Sequence, residues 1–136
     1  MEFERKIDAN LKFKVLDYSL RCTRSNSITI YPFERQENGE WMQVGDSAIW
    51  VWDKECVEWL DIKISEPSRR HGVGKKIVKF AVDYLKACGV KAMWGEISRV
   101  DEVDRVVKFW KENGFSVDLY SQPKGCIVGE ISLTFR

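Results

Sequence analysis

The spacing of apolar residues changes halfway along the chain. Apolar and polar residues alternate over most of 11–16, and 27–31 is rich in β-branched and aromatic side chains. Residues 57–64 are predicted to form another strand. Alternation at a period of two is typical of half-buried strands. Residues 41–52 predict one more long strand, broken or bulged around Gly45. The N-terminal half is therefore predicted to be an antiparallel meander.

Turn signals separate these predicted strands. Asn38 and Gly39 lie between 27–31 and 41–52 and predict a two-residue hairpin loop of type I′, which needs positive φ at both central residues. Asp53, Lys54 and Glu55 predict the next turn. Such short connections favour strands that are neighbours in one sheet.

Beyond residue 73 the period becomes helical. Ile77, Ala81 and Leu85 recur every four residues while lysines take the other face, so the pattern predicts an amphipathic helix from Gly74 that ends at Gly89. The remaining predicted elements are a strand over 92–97, a second helix from Asp101 or Asp104 to Asn113-Gly114, and two strands over 115–120 and 126–135 joined by a turn over 121–125.

Composition favours a single soluble domain over residues 1–136. The chain is 44% hydrophobic with a formal net charge of +1, which offers no broad basic face to nucleic acid. The first residues carry mixed charges, and no apolar run approaches the length of a membrane span. We therefore expect a cytoplasmic protein with neither a membrane nor a nucleic-acid partner.

The cysteines are widely spaced, at positions 22, 56, 88 and 126, and the chain has only one histidine. This pattern lacks the paired spacing of a zinc site, so no metal site is expected. Free cysteine behaves as a small hydrophobic residue, and we expect each one to be buried in a reducing compartment.

Residues 69–76 carry the most chemical information, because they follow a predicted strand and open the first predicted helix. Gly72 and Gly74 allow the backbone to approach a ligand closely, and the first N–H groups of a helix are unpaired. Arginine and lysine side chains surround the same point. The segment therefore predicts an anion site. A solvated charged turn and a basic loop that contacts nucleic acid stay open as alternatives.

The spacing Arg-x-x-Gly-x-Gly over 69–74 resembles the coenzyme-A loop of the GNAT acetyltransferase superfamily. The family's next landmarks, a core strand and a second helix with an aromatic-Gly-Phe ending, resemble 92–97 and 109–115. The likeness covers 57–120. It implies an α/β fold with a mixed, largely antiparallel twisted sheet and two main helices. It also implies transfer of an acetyl group from acetyl-CoA directly to an amine acceptor in a ternary complex.

The resemblance implies roles for individual residues. The pantetheine arm of acetyl-CoA would pair with the backbone of Ile62, Lys63 and Ile64. The pyrophosphate would be held by N–H groups of Arg69, Arg70, His71, Gly72, Val73 and Gly74, together with Lys75. Trp110 would pack against the arm of the cofactor, although a tryptophan on an apolar helix face is commonly core. Glu58 resembles in position the glutamate that some relatives use as general base.

The chain also departs from the family pattern. Trp110 stands where relatives have a tyrosine that protonates the leaving thiolate, and an indole N–H is not a useful acid. Relatives insert two helices in their N-terminal half, where this chain predicts only strands, so the acceptor is not defined. Glu58 and Asp61 are expected to point to opposite faces of one strand, which leaves one of them facing solvent.

These departures keep other functions open. A catalytically silent acyl-CoA-binding or regulatory protein would retain the fold and the cofactor loop. A nucleic-acid-binding or protein-interaction module would instead bind without coenzyme A. Trp41, Trp50, Trp52 and Trp59 would line an acceptor cleft, pack within the sheet or form a subunit interface. Exposed edge strands suggest a homodimer.

Overall fold

A computed structural model describes residues 1–19, 26–53, 55–99 and 101–135, without the side chain of Leu60. Along these residues six strands come first, followed by a 3₁₀ helix, two α-helices and three more strands. Their order is β1 (Glu2–Asp8), β2 (Leu11–Asp17), β3 (Ser27–Arg35), β4 (Trp41–Gln43), β5 (Gly45–Val51), β6 (Cys56–Ile64), the 3₁₀ helix (Glu66–His71), α1 (Val73–Ala87), β7 (Ala92–Ser98), α2 (Val103–Glu112), β8 (Ser116–Lys124) and β9 (Ile127–Thr134).

The strands of the described residues form one sheet with the order β1-β2-β3-β5-β6-β7-β9-β8, and β4 pairs with β3 beside this path. Every neighbouring pair is antiparallel except β6 and β7, which are parallel. A parallel pair needs a crossover connection, and α1 provides it. The expected fold class, a mixed and largely antiparallel sheet with two main helices, is confirmed.

Both helices lie on the same face of the sheet. The ring of Phe80 in α1 packs on Phe13 of β2 at 5.5 Å between centroids, and Trp110 in α2 packs on Trp59 of β6 at 5.5 Å. The pairing of β2, β3, β5 and β6 places Phe13 and Trp59 on one side. In the part of the chain that is described, the opposite face therefore carries no helix.

Several boundaries differ from the sequence prediction. Strand β1 is not signalled by the apolar pattern, because it is an edge strand whose side chains are mostly exposed and charged. A 3₁₀ helix occupies Glu66–His71, where only a loop is expected. Strand β8 continues to Lys124, so the predicted turn over 121–125 shrinks to its last residue, Gly125, and the residue after it.

The prediction of a type I′ turn at Asn38-Gly39 is wrong. Gly39 has φ of 85°, but no non-glycine residue among those described has positive φ, so Asn38 does not meet the type I′ requirement. Instead, the Gly39 N–H donates to the Gln36 carbonyl at 2.9 Å, and the Gln36 N–H donates to the Glu40 carbonyl at 2.7 Å. This pattern is that of a longer hairpin loop that ends in a left-handed glycine.

The prediction that the cysteines are buried is wrong for the three that the structure describes. Cys56 is half-buried, while Cys88 and Cys126 are exposed. Cys88 follows the last residue of α1, and Cys126 lies in the connection between β8 and β9, so neither occupies a core-facing position. Cys22 and Lys54 lie outside the described residues.

A buried carboxylate ties α1 to strand β2. Asp17 is 3% exposed, and its Oδ2 accepts a hydrogen bond from the Tyr84 hydroxyl at 2.5 Å. Its Oδ1 accepts from the backbone N–H and the hydroxyl of Ser19. Burial, followed by the hydrogen bond to Asp17, raises the pKa of Tyr84, which keeps the phenol protonated as a donor.

Replacement of Tyr84 by Phe should lower the free energy of unfolding by about 1–3 kcal/mol, because it leaves one oxygen of a buried carboxylate without its donor. Urea unfolding followed by circular dichroism measures the change. Tyr120→Phe is the matched control, since the Tyr120 hydroxyl donates to Glu130 at an exposed position, and it should change stability by less than about 0.5 kcal/mol. Equal losses in the two variants would contradict a special role for Asp17.

Candidate functional site

The site begins where the parallel strands β6 and β7 part. Their residues pair from Cys56 opposite Ala92 to Trp59 opposite Gly95 and no further. Beyond this point β6 continues to Ile64 paired only with β5. A cleft of about 1100 Å³ opens in the gap and extends over the start of α1 and one face of α2.

A β-bulge marks the same point on the other edge of β6. Ala48 of β5 is opposite Asp61, whereas the next residue, Ile49, is opposite Trp59, so Leu60 is an extra residue in β6. The indole N–H of Trp59 donates to the Asp61 carbonyl at 3.0 Å and bridges the bulge. The extra residue reverses the alternation of faces along the rest of the strand.

The structure brings together most of the predicted cofactor residues. Those that line the cleft are Ile62, Lys63, Ile64, Arg69, Arg70, Gly72, Gly74, Lys75 and Trp110. Two side chains in the loop point elsewhere. His71 Nδ1 lies 2.8 Å from Glu34 Oε2 on β3, and Val73 is buried in the core with 1% exposure.

Helix α1 presents its N-terminus to the cleft. The cap, Gly72, has φ of 72°, and its carbonyl accepts the first helical hydrogen bond from the Lys76 N–H at 3.1 Å. The N–H groups of Val73, Gly74 and Lys75 therefore have no partner within the helix. In the preceding 3₁₀ helix, N–H groups bond three residues back. The free donors are thus concentrated in the first turn of α1 rather than spread from Arg69 onward.

The first turn of α1 packs beside α2 and the end of β6. A Cβ placed on Gly74 would lie 3.4 Å from the ring of Phe109 in α2 and 3.9 Å from Ile62 Cδ1. The Arg69 Nε–H donates to the Ile64 carbonyl at 3.1 Å and fastens the loop to the end of β6. The loop is held from the other side by Lys76, whose Nζ lies 3.1 Å from Asp8 Oδ2.

Trp110 belongs both to the cleft and to the core. It is 6% exposed and its ring contacts those of Trp59, Phe109 and Phe115 at centroid distances of 5.5, 5.1 and 4.8 Å. This aromatic cluster forms the floor under the point where the strands part. Arg105 and Phe109 also line the cleft. The sequence analysis missed them, although their spacing of four residues on α2 places them on one helix face.

Glu58 lies on the opposite face of the sheet from the helices. It is 8% exposed, and its Oε1 accepts a hydrogen bond from the Trp52 Nε1–H at 2.9 Å. Because Glu58 is opposite Trp50 and Asp61 is opposite Ala48, the two acidic residues share one face. The expectation that they point to opposite faces is wrong, since it did not include the bulge. Trp52 as a partner of Glu58 was also missed.

Comparison with known proteins agrees with this architecture. Residues 13–115 match the acetyltransferase (GNAT) family, so the chain belongs to that family. Among proteins of curated function, none matches the sequence.

Solved structures share the fold at low sequence identity. The PaiA N-acetyltransferase of Thermoplasma acidophilum, in complex with coenzyme A, has a TM-score of 0.63 and 15% identity, over 80% of this chain and 61% of that chain. A GNAT acetyltransferase from Elizabethkingia anophelis with acetyl-CoA bound has a TM-score of 0.62 and 12% identity, over 94% and 100%. A domain from Methanocaldococcus jannaschii has a TM-score of 0.67 and 18% identity, over 87% and 73%.

The described part of the chain lacks the features of two other kinds of site. No group of three or more His, Cys, Asp or Glu side chains is arranged to hold a metal ion there. Neither of its α-helices has the length and apolar character that a membrane span requires.

Replacing Gly72 or Gly74 by alanine should have different effects on stability. Gly72→Ala forces a side chain into a left-handed conformation and should lower the free energy of unfolding by about 1 kcal/mol. Gly74→Ala adds a methyl group at ordinary contact distance inside a helix, and should change stability by less than about 0.5 kcal/mol. Parallel urea titrations compare the two variants. A larger loss of stability in Gly74→Ala than in Gly72→Ala would show that the added methyl group does not fit against Phe109.

Proposed function

We propose that this protein is an acetyl-CoA-dependent N-acetyltransferase that moves an acetyl group directly to an amine. The observation that carries the proposal is the parting of β6 and β7, because the cleft with its helix N-terminus opens there and the buried Glu58 lies one residue before that point on the opposite face of the sheet. Membership of the GNAT family and the coenzyme A or acetyl-CoA bound to two fold relatives support it.

The cleft has the features that coenzyme A needs. Its pyrophosphate is a dianion, and the free N–H groups of Val73, Gly74 and Lys75 offer an uncharged cradle at the positive end of the helix dipole. The guanidinium groups of Arg69 and Arg70 border the same cleft. The edge of β6 beyond Trp59 has no described strand partner on the cleft side. The Asp61 and Ile64 carbonyls of this stretch are bonded to Trp59 and Arg69, and the other backbone groups of its cleft-side edge are offered to the pantetheine arm.

Acetyl-CoA supplies an activated thioester carbonyl, and the residues of this chain supply position and proton transfer. The amine binds as an ammonium ion, and Glu58 accepts its proton, directly or through water. The neutral nitrogen then attacks the carbonyl carbon, a C–N bond forms, and the C–S bond breaks as the thiolate leaves, while the nitrogen loses its second proton to solvent and becomes a neutral amide. Direct transfer in this ternary complex uses no cysteine nucleophile. The thiolate takes its proton from solvent, because Trp110 has no acidic group.

One observation favours a second candidate, a catalytically silent acyl-CoA-binding or regulatory protein. Trp110 is part of the packed aromatic floor and replaces the phenol that relatives use as an acid. A protein that only binds acyl-CoA needs the cradle and the cleft but no acid. The two candidates therefore share the cofactor site and differ in the fate of the acetyl group.

The remaining features of the proposal concern organisation. The single sheet runs through all the described strands, which supports one domain over 1–136. We also propose a homodimer, because β1 and β8 are edge strands. A cytoplasmic location and the absence of a nucleic-acid partner stay predictions from composition.

Isothermal titration with acetyl-CoA should give a dissociation constant in the micromolar range. Combining Arg69→Ala with Gly74→Ala should weaken binding at least tenfold, because one change removes a charge and the other fills the cradle. Lys79→Ala is the control, since Lys79 is exposed on α1 and pairs with Asp83, and it should bind as the wild type does. Absence of binding by the wild type would overturn the proposal.

Glu58→Gln should lower kcat for acetyl transfer by a factor of about 10²–10⁴, the usual contribution of a general base. The dissociation constant for acetyl-CoA should be unchanged, because Glu58 lies across the sheet from the cradle. Release of coenzyme A, followed with a thiol reagent, measures the rate. Tight acetyl-CoA binding by the wild type without transfer to any amine tested would favour the silent protein instead.

A further inference from the structure

The carboxylate of Glu58 is buried without a cation. Glu58 is 8% exposed. No lysine or arginine nitrogen among the described residues lies within 4.0 Å of its carboxylate oxygens. Its Oε1 accepts from Trp52, and Oε2 has no hydrogen-bond partner in the same residues and is not fully enclosed, so a ligand can reach it. A buried carboxylate is costly unless it is paired, so this one is poised to receive a positive charge.

Tryptophan side chains surround this carboxylate. Trp50 is the cross-strand partner of Glu58 on β5, and Trp94 is its partner on β7. Trp52 follows two residues after Trp50, and the two rings meet edge to face with centroids 6.2 Å apart. Directly opposite residues of an antiparallel pair, such as Glu58 and Trp50, have Cβ atoms about 5 Å apart. Neighbouring strands of either kind lie about 4.8 Å apart, which also brings Trp94 close to Glu58. Glu58 therefore sits between aromatic walls on the face that no described helix covers.

Beyond Trp94, the part of this face formed by β7, β9 and β8 is negative, whereas Asp61 on β6 is paired with Lys63 at 3.3 Å. Glu96 is opposite Glu130 in the β7–β9 pair, and Glu130 is opposite Asp118 in the β9–β8 pair. Burial, then the hydrogen bond from the Tyr120 hydroxyl to Glu130, and then the nearby charges of Glu130, Glu96 and Asp118 raise the pKa of Tyr120. A field of this sign attracts cations and repels carboxylates.

We infer that Glu58, with Trp50, Trp52 and Trp94, forms the acceptor site, and that it takes a primary alkylammonium group without a carboxylate beside its nitrogen. This inference rests on the proposed function and gives it a substrate class. The ammonium ion donates to the free Oε2 while its alkyl chain and charge lie against indole rings, as cation–π binding requires. An amine that carries an α-carboxylate would meet Glu58 and the negative face with a like charge.

Trp52 acts here as a positioning residue. Its indole N–H donates to Oε1 and fixes the carboxylate, and the residue is 61% exposed. Trp52→Phe keeps an aromatic wall and removes the donor. It should therefore raise KM for the amine several-fold and leave KM for acetyl-CoA unchanged, whereas damage to the fold would change both.

Binding is tested first without acetyl-CoA, so that the result does not depend on catalysis. Butylamine, 1-butanol and 2-aminobutyrate are titrated into the wild-type protein while the indole N–H resonances are followed by NMR. The resonance of Trp52 should shift with butylamine, and the two analogues should bind at least tenfold more weakly. Butanol binding as tightly as butylamine would overturn the inference.

Variants test whether butylamine binds at Glu58. Glu58→Gln should weaken butylamine binding at least tenfold, because the amide cannot pair with an ammonium ion. Trp41→Phe is the control, since Trp41 lies on β4 beside Lys12, and it should bind butylamine as the wild type does. Urea unfolding of Glu58→Gln checks that the fold is retained. Equal butylamine binding by Glu58→Gln and the wild type would place the site elsewhere.

Acetyl transfer to the same compounds separates this inference from the proposed function. Preferred acetylation of butylamine supports both. Preferred acetylation of 2-aminobutyrate supports an N-acetyltransferase but overturns the alkylammonium class. Binding of butylamine that depends on Glu58, without transfer from bound acetyl-CoA, retains the cation site and overturns the transferase.

Discussion

The short pairing between β6 and β7 is the constraint on which the site depends. Strand pairing ends at Trp59 and Gly95, where the carbonyl of Trp59 comes within 2.9 Å of the position that a Cβ on Gly95 would take. The ring of Trp59 then rests on Trp110, and its N–H holds the Asp61 carbonyl. Trp59 thus fills the space between the parting strands, holds the bulge in place and anchors α2. The cleft lies on the helix side of Trp59, and the acidic residues Glu58 and Asp61 face the opposite side of the sheet.

The single extra residue in β6 decides which side chains meet. Before the bulge, Trp59 faces the helices and Glu58 faces away from them. After it, Ile62 faces the helices, near Gly74, and Asp61 faces away. Without the bulge, residues three apart on a strand would point to opposite faces. Because of the extra residue, Ile62 lies in the cleft and Asp61 lies with Glu58 on the other face.

Local patterns predicted what depends on neighbours in sequence. The apolar period of α1, the glycine spacing of its N-terminus and the alternation of β2 are all local, and each element forms close to its predicted place. Pairing between distant residues was not accessible in this way. The hydrogen bond from Trp52 to Glu58 and the bulge at Leu60 depend on how β5 and β6 align, which neither strand encodes alone.

The two faces of the sheet present different chemical groups. The helix face buries most of the apolar core and leaves free backbone donors at one helix end, so it suits a large anionic ligand held by amides and guanidinium groups. The other face retains a carboxylate that would be more easily buried as a neutral group. The helix face also buries a carboxylate, but both oxygens of Asp17 accept hydrogen bonds, from Tyr84 and Ser19. Glu58 accepts one, from Trp52, among the described residues, so the proposed ammonium group would complete its pairing beside the point where the strands part.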